Sequence, residues 1–175
     1  MAEHGFARFS ARQVARAIGY SVGTIYNLFP NLDHLLIAIN TRTFVEWAEF
    51  VERRLEDAGN DRIGALVHGY FDFAREQTNL WLAIYDHRLP PGMELPEDDD
   101  ETRRELTFIV IRELAAVLPQ LSSDDVERLA RSLIATVHGH CTYALNGSFE
   151  LMGEKDPVGL ALARVREAMA AADLR

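Results

Sequence analysis

Apolar residues recur along this chain at intervals of three and four positions, which is the spacing of one face of an α-helix. No segment alternates between apolar and polar residues in the way that a half-buried β-strand does. The pattern therefore predicts an all-α fold. The predicted helices cover residues 11–18, 22–28, 33–57, 62–77, 80–87, 102–118, 122–145 and 157–172, and residues 89–101 are predicted to form a solvated loop.

The first two predicted helices are short and are separated by a glycine. Ser10 and Ser21 precede them, where a serine oxygen can accept a hydrogen bond from a free backbone N–H group. Gly19 gives the backbone the freedom for a tight turn between them. The residues predicted to face inward are Val14, Ala15 and Ile18 of the first helix and Ile25, Leu28 and Phe29 of the second.

This pair of helices has the arrangement of a DNA-binding helix-turn-helix. Ala15 permits a close approach of the two helices, Gly19 forms the turn, and Ile25 fills the gap between them. The alternative is one more helical hairpin within a core, and the spacing of the residues alone does not decide between the two.

The outward positions of the second helix carry groups that suit DNA. Thr24 and Asn27 can hydrogen-bond to base edges, and Val22 can contact a thymine methyl group. Gly23 lets the backbone come close to the duplex, and the hydroxyl of Tyr26 suits a phosphate contact. The pattern thus favours a helix that reads DNA.

The residues themselves resemble the TetR family of bacterial transcriptional repressors. The similar strings are GF at 5–6, S-x-R-x-V-A-R-x-I-G at 10–19, S-x-G-T-I-Y-x-x-F-P-N at 21–31 and LLIAI at 35–39. The resemblance implies that residues 22–28 form a recognition helix, which lies in the major groove. It implies DNA contacts by Ser10, Arg12, Ser21, Val22, Gly23, Thr24, Tyr26 and Asn27.

Two positions depart from the family pattern. Leu28 stands where the family often has histidine or an aromatic residue, and Leu32 stands where it often has lysine. Because that lysine would contact a phosphate, its loss implies weaker or less salt-dependent DNA binding.

Members of this family begin with a full helix that ends in a motif similar to residues 2–6, AEHGF, in which Gly5 would be the left-handed cap. We expect this first helix to be missing because of a start codon placed too late or a shortened chain. The alternative is a true truncation that impairs the helix-turn-helix domain. Without that helix, Val14, Ile18, Ile25 and Phe29 would lose one wall of their core.

Length and composition are those of a globular protein. The 175 residues include 48% hydrophobic and 26% charged residues, enough for one sizeable core or two small ones. We predict a helix-turn-helix DNA-binding domain over residues 1–44 and a ligand-binding and dimerisation domain over residues 45–175, joined by a long helix.

The net charge of −9 argues at first against a polyanionic partner. Residues 1–40 carry three arginines against two acids, a net charge of +1, so the remaining 135 residues carry −10. Charge alone therefore does not predict nucleic-acid binding.

The single cysteine, Cys141, excludes an intrachain disulfide, and no apolar run approaches the roughly 18 residues of a membrane span. We expect a cytoplasmic protein without a membrane partner.

Catalytic signatures are absent from the sequence. It has no glycine-rich phosphate loop, zinc-ligand spacing or nucleophile motif, which argues against an enzyme and predicts no cofactor. The densest polar cluster is residues 137–147, where His138 and Cys141 share a helix face. A metal site would need a third ligand besides His138 and Cys141, such as His68 or His87. The favoured alternative is that His138 and Cys141 are a buried polar pair without a metal.

The later segments V-H-G at 137–139, FDFA at 71–74 and LWLAIYD at 80–86 resemble the WHG-like subclass of ligand domains in the same family. This resemblance implies a pocket walled by the middle helices. The candidate lining residues are Tyr70, Trp81, Tyr85, Phe108, His138 and Cys141, and for each aromatic the alternative is an ordinary core position. The set predicts a small hydrophobic or aromatic effector.

The last two predicted helices have wide apolar faces, which predict a homodimer through a four-helix interface. The predicted contacts join Val126, Leu129, Leu133 and Val137 to Val158, Leu162, Val165 and Met169 of a second copy. A twofold dimer would place two recognition helices about 34–36 Å apart, which predicts a near-palindromic operator in double-stranded DNA.

The sequence thus predicts a transcriptional regulator, a repressor that a small ligand releases from its operator. The first alternative is a dimeric small-molecule-binding module with impaired DNA binding. The second and more distant alternative is a metal-dependent enzyme.

Overall fold

The computed structural model describes residues 1–2 and 5–174, and every regular element in these ranges is helical. This confirms the all-α prediction. The α-helices are α1 (Ala11–Ala17), α2 (Val22–Leu28), α3 (Leu32–Glu56), α4 (Arg62–Glu76), α5 (Thr78–Asp86), α6 (Glu97–Val117), α7 (Ser123–Leu145), α8 (Ser148–Leu151) and α9 (Pro157–Asp173), and a 3-10 turn covers Phe6–Arg8. No helix of the described part is long and apolar enough to cross a membrane.

One predicted boundary is wrong. Helix α6 begins at Glu97, whereas the sequence predicted a loop to residue 101. Its first turn carries four consecutive acids from Glu97 to Asp100, which interact favourably with the positive end of the helix dipole. The N–H of Asp100 donates to the carbonyl of Pro96 at 3.0 Å. The acidic run is therefore a helix start and not a solvated loop.

The chain forms two compact units. The first unit comprises residues 1–46 and 77–104, and the second unit comprises residues 47–76 and 105–175. Helices α3 and α6 each supply residues to both units. The functional boundary at residue 44 stays a prediction.

The first unit has a small hydrophobic cluster where α1, α2 and α3 meet. Its buried members are Ala11, Ala15, Ile25 and Leu35, and Phe9, Val14, Phe29, Leu32 and Ile39 pack against them. The inward orientation of Ile25 is confirmed, because only 3% of this residue is exposed. Leu32, which stands where the family often has lysine, is part of this packing.

Two residues that were predicted to face inward do not. Ile18 is 54% exposed and Leu28 is 70% exposed. The side chains of α3 complete the cluster, so these two residues remain outside it. Ile18 and Val14 instead line an open groove beside the start of the chain.

The predicted helix end at residues 2–6 is described only in part, because Glu3 and His4 lie outside the described residues. Gly5 has a positive φ of 71°, which favours glycine. Its ψ of 177° differs from that of the predicted left-handed cap, since the chain continues into the 3-10 turn.

Helix α5 is tied to the first half of α3 by polar contacts within the first unit. The buried amide of Asn40 donates to the carbonyl of Ala83 at 3.3 Å. The ring nitrogen Nε2 of His87 lies 3.1 Å from the carboxylate of Asp33, near the start of α3. These contacts place α5 against α3, the helix that follows α2.

The second unit is built around aromatic stacking and the pairing of α7 with α9. Trp47 is 1% exposed, stacks on Phe73 at a centroid distance of 5.0 Å, and meets Tyr70 edge-on at 4.7 Å. Helices α7 and α9 pack against each other and against α4. The buried residues are Val126, Ala130, Leu133, Val137 and Cys141 of α7 and Val158, Ala161 and Val165 of α9.

This burial corrects five of the eight predicted dimer contacts. Leu133, Val137 and Val165 are 3–6% exposed in a single copy, and Val126 and Val158 are also buried. They are buried within the protomer, where α7 packs against both α4 and α9, so these five cannot form a surface for a second copy. The other three predicted contacts, Leu129, Leu162 and Met169, are half-buried and stay predictions.

A buried carboxylate holds three helices of the second unit together. Glu113 of α6 accepts two hydrogen bonds from Arg62 of α4, at 2.5 and 2.9 Å, and one from Arg112 at 2.9 Å. Arg62 also donates to the carbonyl of Leu55 in α3, at 2.9 Å. The hydrogen bonds from Arg62, opposed by desolvation and supported by Arg112, lower the pKa of Glu113.

Candidate functional site

Both serines that were predicted to cap α1 and α2 do so. The oxygen of Ser10 accepts a hydrogen bond from the N–H of Gln13 at 3.3 Å, and that of Ser21 accepts from the N–H of Thr24 at 3.1 Å. Between the helices, Gly19 has a φ of 75°, a conformation that side-chain-bearing residues avoid. The predicted turn is confirmed.

The outward edge of α2 is held by the burial of its opposite edge. Ile25 is 3% exposed, whereas Val22 is 36% and Tyr26 is 47% exposed. Gly23 and Asn27 are also exposed. Because α2 cannot rotate without exposing Ile25, its outward groups keep fixed positions.

The polar groups at the start of α2 are partly engaged with each other. Thr24 is half-buried, and its hydroxyl lies 3.0 Å from that of Ser21. Each hydroxyl retains hydrogen-bonding capacity that a phosphate or a base edge could use. Of the other predicted contacts, Arg12 is exposed and Ser10 is half-buried. The roles of these residues in DNA binding stay predictions.

One exposed side chain beside this edge was not among the predicted contacts. Tyr20 is 63% exposed and lies between the turn glycine and the serine cap. Its place between Gly19 and Ser21 is the signal that could have identified it as part of the outward surface.

The predicted ligand residues fall into three groups. Tyr70, His138 and Cys141 belong to the second unit, where the hydroxyl of Tyr70 lies 3.0 Å from Nδ1 of His138. Trp81 and Tyr85 belong to the first unit, with their rings 5.0 Å apart. Phe108 is 57% exposed.

The second unit contains a small apolar cavity of about 50 Å³. The lining residues are Ile63, Leu66, Val67, Tyr70, Val110, Leu114, Leu133, Ile134, Val137 and Val165. Tyr70 is the member of the predicted ligand set that lines this cavity, and the rest of the lining is aliphatic. A ligand of more than a few atoms would need neighbouring side chains to move.

Burial controls the ionisation of His138 and Cys141 on α7. Desolvation lowers the pKa of His138 and raises the pKa of Cys141 to about 12, so the thiol is neutral. Among the described residues, no three histidine, cysteine or acidic side chains could hold a metal ion. His87, one of the third ligands considered, bonds to Asp33.

The half-buried His138 predicts a pH-dependent stability. Because its pKa is lower in the folded protein, the unfolded chain binds the proton first as the pH falls. We expect the free energy of unfolding to decrease below about pH 6.5, with a slope of at most about 1.4 kcal/mol per pH unit from this group. Urea titrations at several pH values should show a smaller slope for His138→Gln, and His140→Gln serves as the control that retains it.

Comparisons with known proteins match both parts of the chain. Residues 63–169 match a family described as "Tetracyclin repressor-like, C-terminal domain", and residues 1–39 match "Bacterial regulatory proteins, tetR family". A comparison with curated protein sequences found no match.

Solved structures share the fold. A protein of unknown function from Rhodococcus sp. RHA1 is 24% identical, with a TM-score of 0.76 over 97% of this chain and 87% of that one. The transcriptional regulator FadR from Bacillus subtilis, in complex with stearoyl-CoA, is 19% identical, with a TM-score of 0.67 over 96% of this chain and 91% of that one.

Proposed function

Because the chain belongs to the tetR family of bacterial regulatory proteins, whose function is DNA-binding transcriptional regulation, we propose that it represses transcription from a near-palindromic operator. The observation that carries this proposal is the fixed outward edge of α2. Burial of Ile25 and the turn at Gly19 hold that edge, which presents Val22, Tyr26 and Asn27 to solvent.

Each proposed contact residue has a distinct role in the complex with DNA. Thr24 and Asn27 read base edges in the major groove, and Val22 contacts a thymine methyl group. Tyr26 and the turn residues before α2 bind phosphates, which sets the register of the helix on the duplex. The remaining proposed contacts are Ser10, Arg12, Ser21 and Gly23.

The repressor acts as a homodimer in this proposal, assembled through the last two long helices, α7 and α9. Two recognition helices about 34–36 Å apart then enter successive turns of the major groove. The twofold symmetry of the protein is the reason that the operator is nearly palindromic.

A small hydrophobic or aromatic effector releases the repressor. The aliphatic cavity that Tyr70 helps to line supports an apolar ligand. FadR was solved with stearoyl-CoA, whose acyl chain belongs to the same chemical class. We assign the coupling to α3, because its residues belong to both units. A coupling of about 1–3 kcal/mol changes operator affinity about 5- to 150-fold.

Footprinting on DNA that flanks the protein's own gene tests the proposal. We expect a protected near-palindrome, and we expect the double variant Thr24→Ala/Tyr26→Phe to lose about 100-fold or more in affinity, since each contact contributes about 1–3 kcal/mol. The dimer should persist in size-exclusion chromatography. Thr107→Ala, which removes a hydroxyl from α6 and lies outside the proposed DNA and dimer contacts, should bind as the parent does.

An unchanged footprint for the double variant would overturn the role given to α2. The second candidate, a ligand-binding dimer with impaired DNA binding, is supported by the 54% exposure of Ile18 in the head. That candidate is favoured if the dimer protects no duplex at low salt.

A further inference from the structure

The stretch of chain that contains α2 carries no charged side chain. Between Arg16 and Asp33, residues 17–32 include no aspartate, glutamate, lysine or arginine, and this stretch covers the turn at Gly19 and all of α2. In the major groove, arginine and lysine read guanine through its O6 and N7 atoms, and acidic side chains accept from the N4 group of cytosine. Helix α2 therefore lacks the side chains that most directly read a G·C pair.

The same stretch is rich in exposed apolar and aromatic side chains. Of the twelve large hydrophobic side chains that the described residues expose, five lie between residues 18 and 28: Ile18, Tyr20, Val22, Tyr26 and Leu28. Leu28 is 70% exposed, which is the largest exposure in this group. Such a concentration of exposed apolar side chains is typical of a binding surface, because a partner displaces water from it.

Helical spacing places Leu28 beside the residues of α2 that face the duplex in the proposed complex. Leu28 follows Thr24 by four positions, so the two side chains lie along one side of the helix. The exposed Asn27 lies between this side and the side of Val22. From Val22 to Leu28 the helix is about 9 Å long, which corresponds to about three stacked base pairs.

We propose that α2 reads a core of A·T pairs in each half-site of the operator, with Leu28 contacting a thymine methyl group in addition to the contact made by Val22. The inference rests on the proposed function and deepens it, because it names the base composition that α2 recognises. It also adds Leu28 to the residues that determine specificity. Guanine elsewhere in the half-site agrees with this composition, since Arg12 lies on α1.

An A·T pair offers the two kinds of partner that α2 can use. The C5-methyl group of thymine is apolar, and burying it against leucine or valine removes apolar surface of both from water. The N7 and N6 atoms of adenine can accept from and donate to the amide of Asn27. Opposite a G·C pair, Leu28 would instead cover the N4 donor of cytosine and leave it without a hydrogen bond, which is unfavourable.

Selection from random double-stranded DNA by the full chain tests this inference. We expect enriched half-sites with A·T pairs opposite α2, which are the positions whose base preference changes in Val22→Ala, Asn27→Ala or Leu28→Ala. Leu28→Ala should lose the preference for thymine at one position of each half-site. Leu82→Ala, which changes an exposed leucine on α5, should retain it. Because both leucines are exposed, circular dichroism should show the parent fold for both variants.

Uracil provides a second measurement that changes only the methyl group. Thymine at the position that Leu28→Ala relaxes is replaced by uracil in both half-sites of the selected duplex, and fluorescence anisotropy measures the affinity. We expect the affinity of the parent to fall about 15-fold, from about fourfold for each buried methyl group. The same replacement should have little effect on Leu28→Ala and the full effect on Leu82→Ala.

The results that would contradict this inference differ from those that would contradict the proposed function. Enrichment of G·C pairs opposite α2, or equal effects of uracil on the parent and on Leu28→Ala, overturns the inference and leaves the proposed function standing. A preference for thymine that Leu28→Ala leaves unchanged overturns the role of Leu28. If the full chain enriches no duplex, the proposed function is overturned and the inference with it.

Discussion

Replacing Glu113 by alanine is expected to destabilise the second unit by about 2–3 kcal/mol. Only 5% of this side chain is exposed, and it binds both Arg62 and Arg112. Removing one partner of a buried ion pair costs about 3–5 kcal/mol, and the effect is smaller here because both arginines retain access to water. Urea unfolding followed by circular dichroism measures the loss.

The control for this prediction is Glu52→Ala. Glu52 also binds Arg112, at 2.8 Å, but 42% of its side chain is exposed. A surface pair contributes at most about 1 kcal/mol, so this variant should remain close to the parent. Equal losses for the two variants would show that burial of Glu113 does not control the stability of the network.

Acid should remove the difference between the parent and Glu113→Ala. The pKa of Glu113 is lower in the folded protein, so its contribution is present above the unfolded value of about 4.3 and is lost as the pH falls through the folded value. The alanine variant has no such group. The two unfolding curves should therefore converge at low pH.

The second large effect is expected from Ala15→Phe, which should lower operator affinity at least about 100-fold. Ala15 is 2% exposed in the cluster that contains Ile25 and Leu35. A phenyl ring would overfill this space, at a cost of about 1–3 kcal/mol, and would force α1 away from α2. The outward edge of α2 would then lose its fixed position.

Fluorescence anisotropy with operator DNA measures this effect, and Ala17→Phe is the matched control on the same helix. Ala17 is exposed, so its substitution leaves the packing of α1 on α2 intact. The urea unfolding of the second unit should be the same in both variants. Normal DNA binding by Ala15→Phe would mean that close packing at this position does not set the recognition geometry.

Local chemistry made much of the fold predictable from the sequence. The caps at Ser10 and Ser21 and the turn at Gly19 depend on neighbouring residues alone, and all three are confirmed. The bounds of α2 were predicted without error for the same reason. Periodicity also identified the long helices.

The wrong predictions concern residues whose burial depends on which other helix packs against them. Ile18 and Leu28 are apolar and suitably spaced, yet α3 supplies the side chains that complete their cluster. The apolar stripes of α7 and α9 meet within one protomer, which periodicity cannot distinguish from a meeting between copies. The start of α6 was missed because an acidic run suits a solvated loop and a helix N-terminus equally well.

Neither compact unit is a continuous stretch of chain, since each is assembled from two segments that interleave along the sequence. The first unit cannot be completed on the ribosome until residue 103 has been synthesised, because Arg103 donates hydrogen bonds to the hydroxyl of Thr41 and the carbonyl of Ile37. A fragment that stops near residue 46 would carry α2 but not α5, whose contacts with Asn40 and Asp33 brace α3. Transplanting the DNA-binding head onto another protein therefore requires more than its first 46 residues.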